Sequence, residues 1–361
     1  MRKLLFLCCI ILASCAPTHE SEGILFVDPI TVDGDLTEWL DIEQSVILNI
    51  PDSIVFGKVK QIEYQDSLVF LLEEGVASSV LVFDRSGNFK NQLINLGSGP
   101  GEYIEIAFFM LQDDSIVIYD RYQKKLISFL LDDYTKVKEF KMDYYLVGGI
   151  HPTGNNLSFL VSDESVEMEI QRGYGFASQD FSRMQFDPQI VGFTEGFLPE
   201  SIGEFEGDYF LVQPFSDRIY KITQDSLEYV TRIDFGNKKI PRVASTFMEA
   251  DEVHELLLEG SYFFAVHNLL IENSIISFNF LNESIENTNM ALIQNGQLFR
   301  FPINTSLKEI FLKPIGVREG LLQTVLLPGE YDEAMVDLLD LPKSNQDRPI
   351  MISYAIRKSV E

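Results

Sequence analysis

Short β-type runs recur at near-constant spacing, and this limits the fold more than any single motif. Gln65-Asp66-Ser67-Leu68-Val69-Phe70 is followed by Val80-Leu81-Val82-Phe83-Asp84. Gln112-Asp113-Asp114-Ser115-Ile116-Val117-Ile118 is followed similarly by Leu126-Ile127-Ser128-Phe129. Ser67 and Ser115 are 48 residues apart. A third turn of this type, Gln224-Asp225-Ser226-Leu227, comes after Arg218–Ile222 and sits elsewhere in its unit, so it supports hairpins more than register. Units of this length, made of short antiparallel strands, read as propeller blades. One four-stranded blade cannot bury both faces, but a closed ring of blades can. Two separate sandwiches would leave the offset unexplained.

The other strand candidates fit this scheme. Ser45–Ile50, Ile54–Val59, Tyr209–Val212, Ile219–Ile222, Ile275–Phe280 and Ile350–Ile356 are rich in Val, Ile, Phe and Tyr and are bounded by turn residues. Roughly 310 residues at about 50 per blade predict six blades. The expected fold is therefore all-β: a six-bladed β-propeller of four-stranded antiparallel blades. Ser45–Ile50 should pair with Ile350–Ile356 and close the ring, removing open sheet edges. Helical spacing is predicted only over Ala244–Glu259 and Gly329–Leu341.

Ahead of the first strand stands a leader. Met1-Arg2-Lys3 precedes an apolar run from Leu4 to Ala13, which ends in Leu12-Ala13-Ser14-Cys15. A basic start, about ten apolar residues and small residues before a cut site make a secretory signal. The run is too short to span a bilayer, which needs about 20 residues. The ending resembles the lipobox of bacterial lipoproteins, which implies lipidation of Cys15 and cleavage before it. Ala16, where enterobacterial sorting uses Asp for inner-membrane retention, points to the outer membrane. The expected organisation is a signal peptide over 1–14, a lipidated cysteine and tether over 15–40, and the propeller over 41–361. Membrane contact then runs through the N-terminal lipid.

Composition excludes several classes. All three cysteines (Cys8, Cys9, Cys15) lie in the leader, so no disulfide framework, cysteine metal site or thiol nucleophile is available to the domain. With 28 Lys+Arg against 55 Asp+Glu, the net charge of −27 repels nucleic acid.

Val82-Phe83-Asp84-Arg85-Ser86-Gly87-Asn88-Phe89 leads into Leu96-Gly97-Ser98-Gly99-Pro100-Gly101-Glu102-Tyr103. This resembles the FD-x-x-G-x-F … G-x-G-P-G-E-Y segment of the six-bladed β-propeller lipoproteins of Bacteroidetes, which are similar in architecture to NHL-type propellers. Asp217-Arg218-Ile219-Tyr220-Lys221-Ile222 with Asp234-Phe235-Gly236 and Pro241 resembles a later blade of that family. Asp347-Arg348-Pro349-Ile350-Met351-Ile352-Ser353-Tyr354 resembles its closing strand, with Arg348 in place of the usual Asn. Residues 160–200 match least. The resemblance implies a fold and a compartment and little biochemistry.

Motifs that carry chemistry are sparse. Gly97–Gly101 is followed by Glu102 and an apolar strand-like run, whereas a phosphate loop opens a helix and ends in Lys-Ser/Thr. The glycines read as a tight inter-blade connection, with Glu102 and Tyr103 as candidate ligand-face residues near one mouth of the ring. His254-Glu255 lacks the second histidine of a zincin helix. His19 falls in the tether, His151 in a turn before Pro152, and His267 in an apolar stretch. Asp33-Gly34-Asp35-Leu36-Thr37-Glu38-Trp39 hints at a calcium loop but lacks its glycine and its final glutamate. Trp39, the single tryptophan, is the third candidate ligand-face residue, able to stack on a sugar or to pack as a lid. No catalytic residue and no metal ligand is nominated, and no Gly-x-Ser-x-Gly elbow is present.

The leading expectation is a lipid-anchored binding or scaffold propeller for a protein or glycan partner. It needs no cofactor. The alternative is a calcium-dependent hydrolase or lyase acting on glycans or lactones at the channel mouth. Fold alone does not decide between them.

Overall fold

The computed structural model describes residues 24–356 apart from 26–28, 143–144, 154, 163–171, 179–183, 188–201, 206–207, 213–217, 225, 240–254, 256–259, 273–274, 283, 295–296, 332 and 339–346. The leader, Cys15, His19, His254 and the helix expected over Ala244–Glu259, save Glu255, lie outside the described residues.

Six antiparallel sheets follow one another along the chain. Blade 1 is β4 (Lys58–Gln65), β5 (Leu68–Glu74), β6 (Ser79–Asp84) and β7 (Phe89–Leu93). Blade 2 is β8 (Ile106–Gln112), β9 (Ser115–Asp120), β10 (Lys125–Leu130) and β11 (Lys136–Lys141). Blade 3 is β12 (Tyr145–Thr153), β13 (Asn156–Ser162), β14 (Arg172–Ser178) and β15 (Met184–Asp187). Blade 4 is β16 (Ile202–Phe205), β17 (Asp208–Val212), β18 (Arg218–Ile222) and β19 (Leu227–Asp234). Blade 5 is β20 (Phe263–Glu272), β21 (Ile275–Asn282), β22 (Ser284–Gln294) and β23 (Gln297–Pro302). Blade 6 takes β24 (Gly316–Arg318), β25 (Leu321–Leu326) and β26 (Ile350–Ile356) from the C-terminal part, and its outer strand, β3 (Leu40–Ile47), from the N-terminal part.

That mixed blade closes the ring. Ile350 pairs with Ile47, Ile352 with Ser45 and Ile356 with Leu40. The closing strand thus starts five residues before the expected Ser45.

The blades are held by what lies between them. In β5, Val69 and Leu71 enter the cluster shared with blade 6, while Phe70 and Leu72 enter the one shared with blade 2. Side chains alternate across a strand, so one apolar run feeds two interfaces. This is why the strands read as continuous apolar stretches rather than as an in/out alternation. Each of the six interfaces holds such a cluster. Full burial of a Phe or Leu side chain contributes about 1.5–3 kcal/mol.

The 48-residue spacing has a structural meaning. The Gln61 amide donates to the Phe109 carbonyl at 2.8 Å and accepts from the Phe109 N–H at 3.1 Å, joining β4 to β8 across 48 residues. The turns themselves superpose one residue closer: Gln65 pairs with Leu68 as Gln112 pairs with Ser115. Asp66 and Asp113, at φ 51° and 49°, open these two hairpins.

The expected tether over 15–40 needs correction. β1 (Ile24–Leu25) runs parallel to β19, and β2 (Ile30–Thr31) runs parallel to β23. A short 3₁₀ turn, Leu36–Glu38, follows, with the Asp35 carboxylate accepting from the Thr37 N–H at 3.0 Å. The N-terminal segment therefore straps the rims of blades 4 and 5 before it completes blade 6. Of the helix expected over Gly329–Leu341, Glu333–Leu338 is helical and 339–341 lie outside the described residues. No helix among the described residues is long and apolar enough to cross a membrane.

Candidate functional site

The first strand of every blade faces the ring axis. Together β4, β8, β12, β16, β20 and β24 line a central channel of about 730 Å³. Its charged lining residues are Lys60, Glu63, Asp66, Arg85 and Arg318, joined by His151 and Tyr209 on the side of blades 3 and 4.

At the seam between blades 6 and 1, Tyr64 organises the wall. The Arg85 guanidinium lies 4.6 Å from the Tyr64 ring centroid, and that of Arg318 lies 4.3 Å from it. Arg85 also donates to the Asp66 carbonyl at 2.6 Å. Arg318 is paired with Glu319 at 3.0 Å. The phenol oxygen accepts from the buried Gln323 amide, which also reaches Ser353 at 3.2 Å. Burial pushes the Tyr64 pKa above its ordinary value, so the phenol stays neutral at physiological pH. Across the channel, the His151 and Tyr209 rings lie 4.9 Å apart. His151 is in strand β12 rather than in the expected turn.

The innermost strands are irregular. β4, β8 and β12 each carry a register shift against their neighbour, and β20 carries two. Ala265 and Asn268 of β20 have φ near +50°, a conformation that costs energy for any residue with a Cβ. Bulges of this kind re-aim backbone groups and concentrate beside binding sites.

None of the three candidate ligand-face residues contributes to this lining, and two cannot face a ligand at all. Tyr103 is fully buried between blades 1 and 2, and its hydroxyl donates to the Leu93 carbonyl at 3.1 Å. Trp39 is 8% exposed, wedged edge-on against Phe299 at 5.0 Å and Phe301 at 5.4 Å. Its ring is a packing element of the blade 5–6 interface. Glu102 turns inward on its own loop: its carboxylate accepts from the Gly99 N–H at 2.8 Å. A Cβ on Gly97 would meet that carboxylate at 2.0 Å. The glycines of this loop thus make room for the chain's own carboxylate. Lys125 and Gln123 fasten the loop further through the Gly99 and Gly97 carbonyls.

His267 is half-buried, donates from Nδ1 to the Ala265 carbonyl at 2.8 Å, and has its pKa pulled down to about 4 by the desolvation of its ring. It stays neutral at physiological pH. The Asp35 carboxylate of the calcium-like stretch is committed to its helical turn. Among the described residues, no group of three His, Cys, Asp or Glu side chains could hold a metal ion. The calcium-dependent alternative therefore gains no ligand set here.

Sequence comparison agrees with this geometry. The profile described as "6-bladed beta-propeller" matches residues 16–311. The chain belongs to that family. A crystal structure from Bacteroides fragilis NCTC 9343 named "Putative exported protein" is similar to the propeller with a TM-score of 0.70 at 17% identity, covering 93% of this chain and 99% of its own. Two remoter matches are a luciferin-regenerating enzyme, with a TM-score of 0.44 at 8% identity over 86% of this chain and 95% of its own, and the propeller domain of the trilobed protease from Pyrococcus furiosus, with 0.39 at 8% identity over 74% and 77%. These likenesses concern the fold alone. No curated protein matches the propeller in sequence.

Sequence reasoning missed the channel set. Arg85, His151, Tyr209 and Arg318 come from four blades, and nothing local marks them. The blade repeat, extended to the first strand of each unit, would have found His151 of β12 and Arg318 of β24, but not Arg85, which follows β6, or Tyr209 of β17.

Proposed function

We propose that the propeller is a lipid-anchored module of the bacterial envelope that binds a protein or glycan partner without catalysis. The observation that carries this reading is the central channel, walled by all six blades and lined by arginine, aromatic and backbone groups. Such a pocket, mostly pre-formed with a few convergent polar groups, is how small-ligand and side-chain recognition is built. The leader ending in Leu12-Ala13-Ser14-Cys15 supports envelope anchoring, and the name of the B. fragilis relative supports export in general. Ala16 supports the outer membrane.

Calorimetric titration of the chain from Ala16 onward against a glycan panel, with and without calcium, tests the binding reading. Pull-down from envelope extracts tests it for proteins. Heat with one glycan, or one saturable protein partner, supports it. Silence in both overturns it. Turnover of a panel member would overturn the non-catalytic part. Incorporation of labelled fatty acid that is lost in Cys15→Ser tests the anchor.

A further inference from the structure

We propose that the channel mouth at the seam of blades 6 and 1 binds an acidic sugar, with Arg85 and Arg318 holding its carboxylate. This rests on the binding-module reading and gives it a site and a ligand class.

Charge is the first argument. Over the whole chain, acids outnumber bases by 27. Along the channel that surplus all but disappears: Lys60, Arg85 and Arg318 stand against Glu63 and Asp66, with Glu74 and Glu319 as the ion-pair partners of Lys60 and Arg318. Within so acidic a protein the channel is a place where an anion meets cations at close range instead of a field of like charge.

Pre-organisation is the second. A guanidinium has five N–H donors in a rigid fork that matches a carboxylate. Arg85 spends one on the Asp66 carbonyl, and Arg318 directs Nε and Nη2 to one Glu319 oxygen. Contact with the Tyr64 ring holds both guanidiniums in place with donors to spare. Fixing such side chains beforehand removes part of the ordering cost of binding.

The third argument separates a sugar from a simple carboxylate. The channel-facing edge of each first strand is the open edge of its sheet, and such edges present backbone N–H and C=O groups. The register shifts in β4, β8, β12 and β20 break the regular ladder along this wall. Alternating donors and acceptors suit a ligand with many hydroxyls. A volume of about 730 Å³ suits a short oligosaccharide and lies within the usual range for small-ligand sites.

The test is calorimetry on the chain from Ala16 onward with digalacturonate, galactobiose and acetate, repeated on the R85Q/R318Q double variant. Digalacturonate should bind, and galactobiose and acetate should bind at least about tenfold more weakly. The double variant should lose about tenfold for digalacturonate and nothing for galactobiose. Circular dichroism and Trp39 fluorescence check its fold. Should the variant not fold, a salt series on the unsubstituted protein decides: digalacturonate binding must weaken as salt rises. Absence of digalacturonate binding at low salt, equal binding of galactobiose, salt-independent binding or undiminished binding in R85Q/R318Q would each overturn the proposal. A glycan or protein partner bound independently of both arginines would leave the binding-module reading standing and this site refuted.

Discussion

Gln323 and Tyr64 meet across 259 residues of sequence, the buried amide donating to the phenol oxygen at 2.5 Å. One belongs to the last blade and the other to the first, so this bond spans the seam of the ring. Tyr64 also donates to the Met351 sulfur at 3.8 Å, which places two residues of blade 6 on one phenol of blade 1.

Tyr64→Phe should therefore destabilise the ring while keeping its ring-to-arginine contacts. The Gln323 side chain, in a residue only 3% exposed, would keep Ser353 alone as a partner. Loss of one buried partner costs about 1–3 kcal/mol. Urea unfolding followed by Trp39 fluorescence measures it, and a change within error would mean that the seam does not depend on this bond.

Gly87 sits at φ +80°, and a Cβ there would lie 2.1 Å from the Ile47 carbonyl oxygen in the closing strand. Backbone cannot yield as a flexible side-chain tip can. Gly87→Ala should cost at least about 2 kcal/mol, whereas Gly34→Ala, with no atom within 4 Å, should change stability by less than about 1 kcal/mol. Paired thermal melts of the two variants compare them.

Removal of residues 350–361 strips blade 6 of the strand between β25 and β3. The expected result is loss of the single cooperative melt, with Trp39 released from Phe299 and Phe301 and its emission shifted to the red. A truncated chain with the full melt would show that closure contributes little.

His267 gives a pH dependence of defined sign. Its folded pKa of about 4 lies below the ordinary 6.5 because burial penalises the imidazolium. As pH falls from about 6.5 towards 4, the unfolded chain takes up a proton that the folded chain refuses. Stability therefore drops by up to roughly 1.4 kcal/mol per pH unit over that window. His267→Asn keeps a donor for the Ala265 carbonyl and removes the titration. Unfolding curves at pH 7 and pH 5 should show a smaller loss in the variant than in the unsubstituted protein.

What the sequence made legible follows from locality. Gln65-Asp66 and Gln112-Asp113 are tight turns written in neighbouring residues, so the repeat, the hairpins and the blade count could be read along the chain. Ser67 and Ser115 gave the period to within one residue, because Ser115 stands at the turn position of Leu68 and Asp114 at that of Ser67. Glu102 and Tyr103 were conspicuous for the same local reason. Their neighbours are glycines, but those glycines make room for the Glu102 carboxylate rather than for a ligand. Trp39 could be read as a sugar-stacking ring or as a packing lid, because the partners that make it a lid, Phe299 and Phe301, are some 260 residues away. The channel lining is non-local altogether: Arg85 and Arg318 come together only through the closed ring.

The order of assembly follows from where β3 comes from. Its partner β26 is made about 300 residues later, and contacts so distant along the chain form late and slowly. Until the final strand appears, blade 6 has no middle and the N-terminal strand has nothing to pair with. Whatever the first five blades build beforehand is an open arc with two bare end faces, and it becomes a ring only when the two distant parts of the chain meet in blade 6.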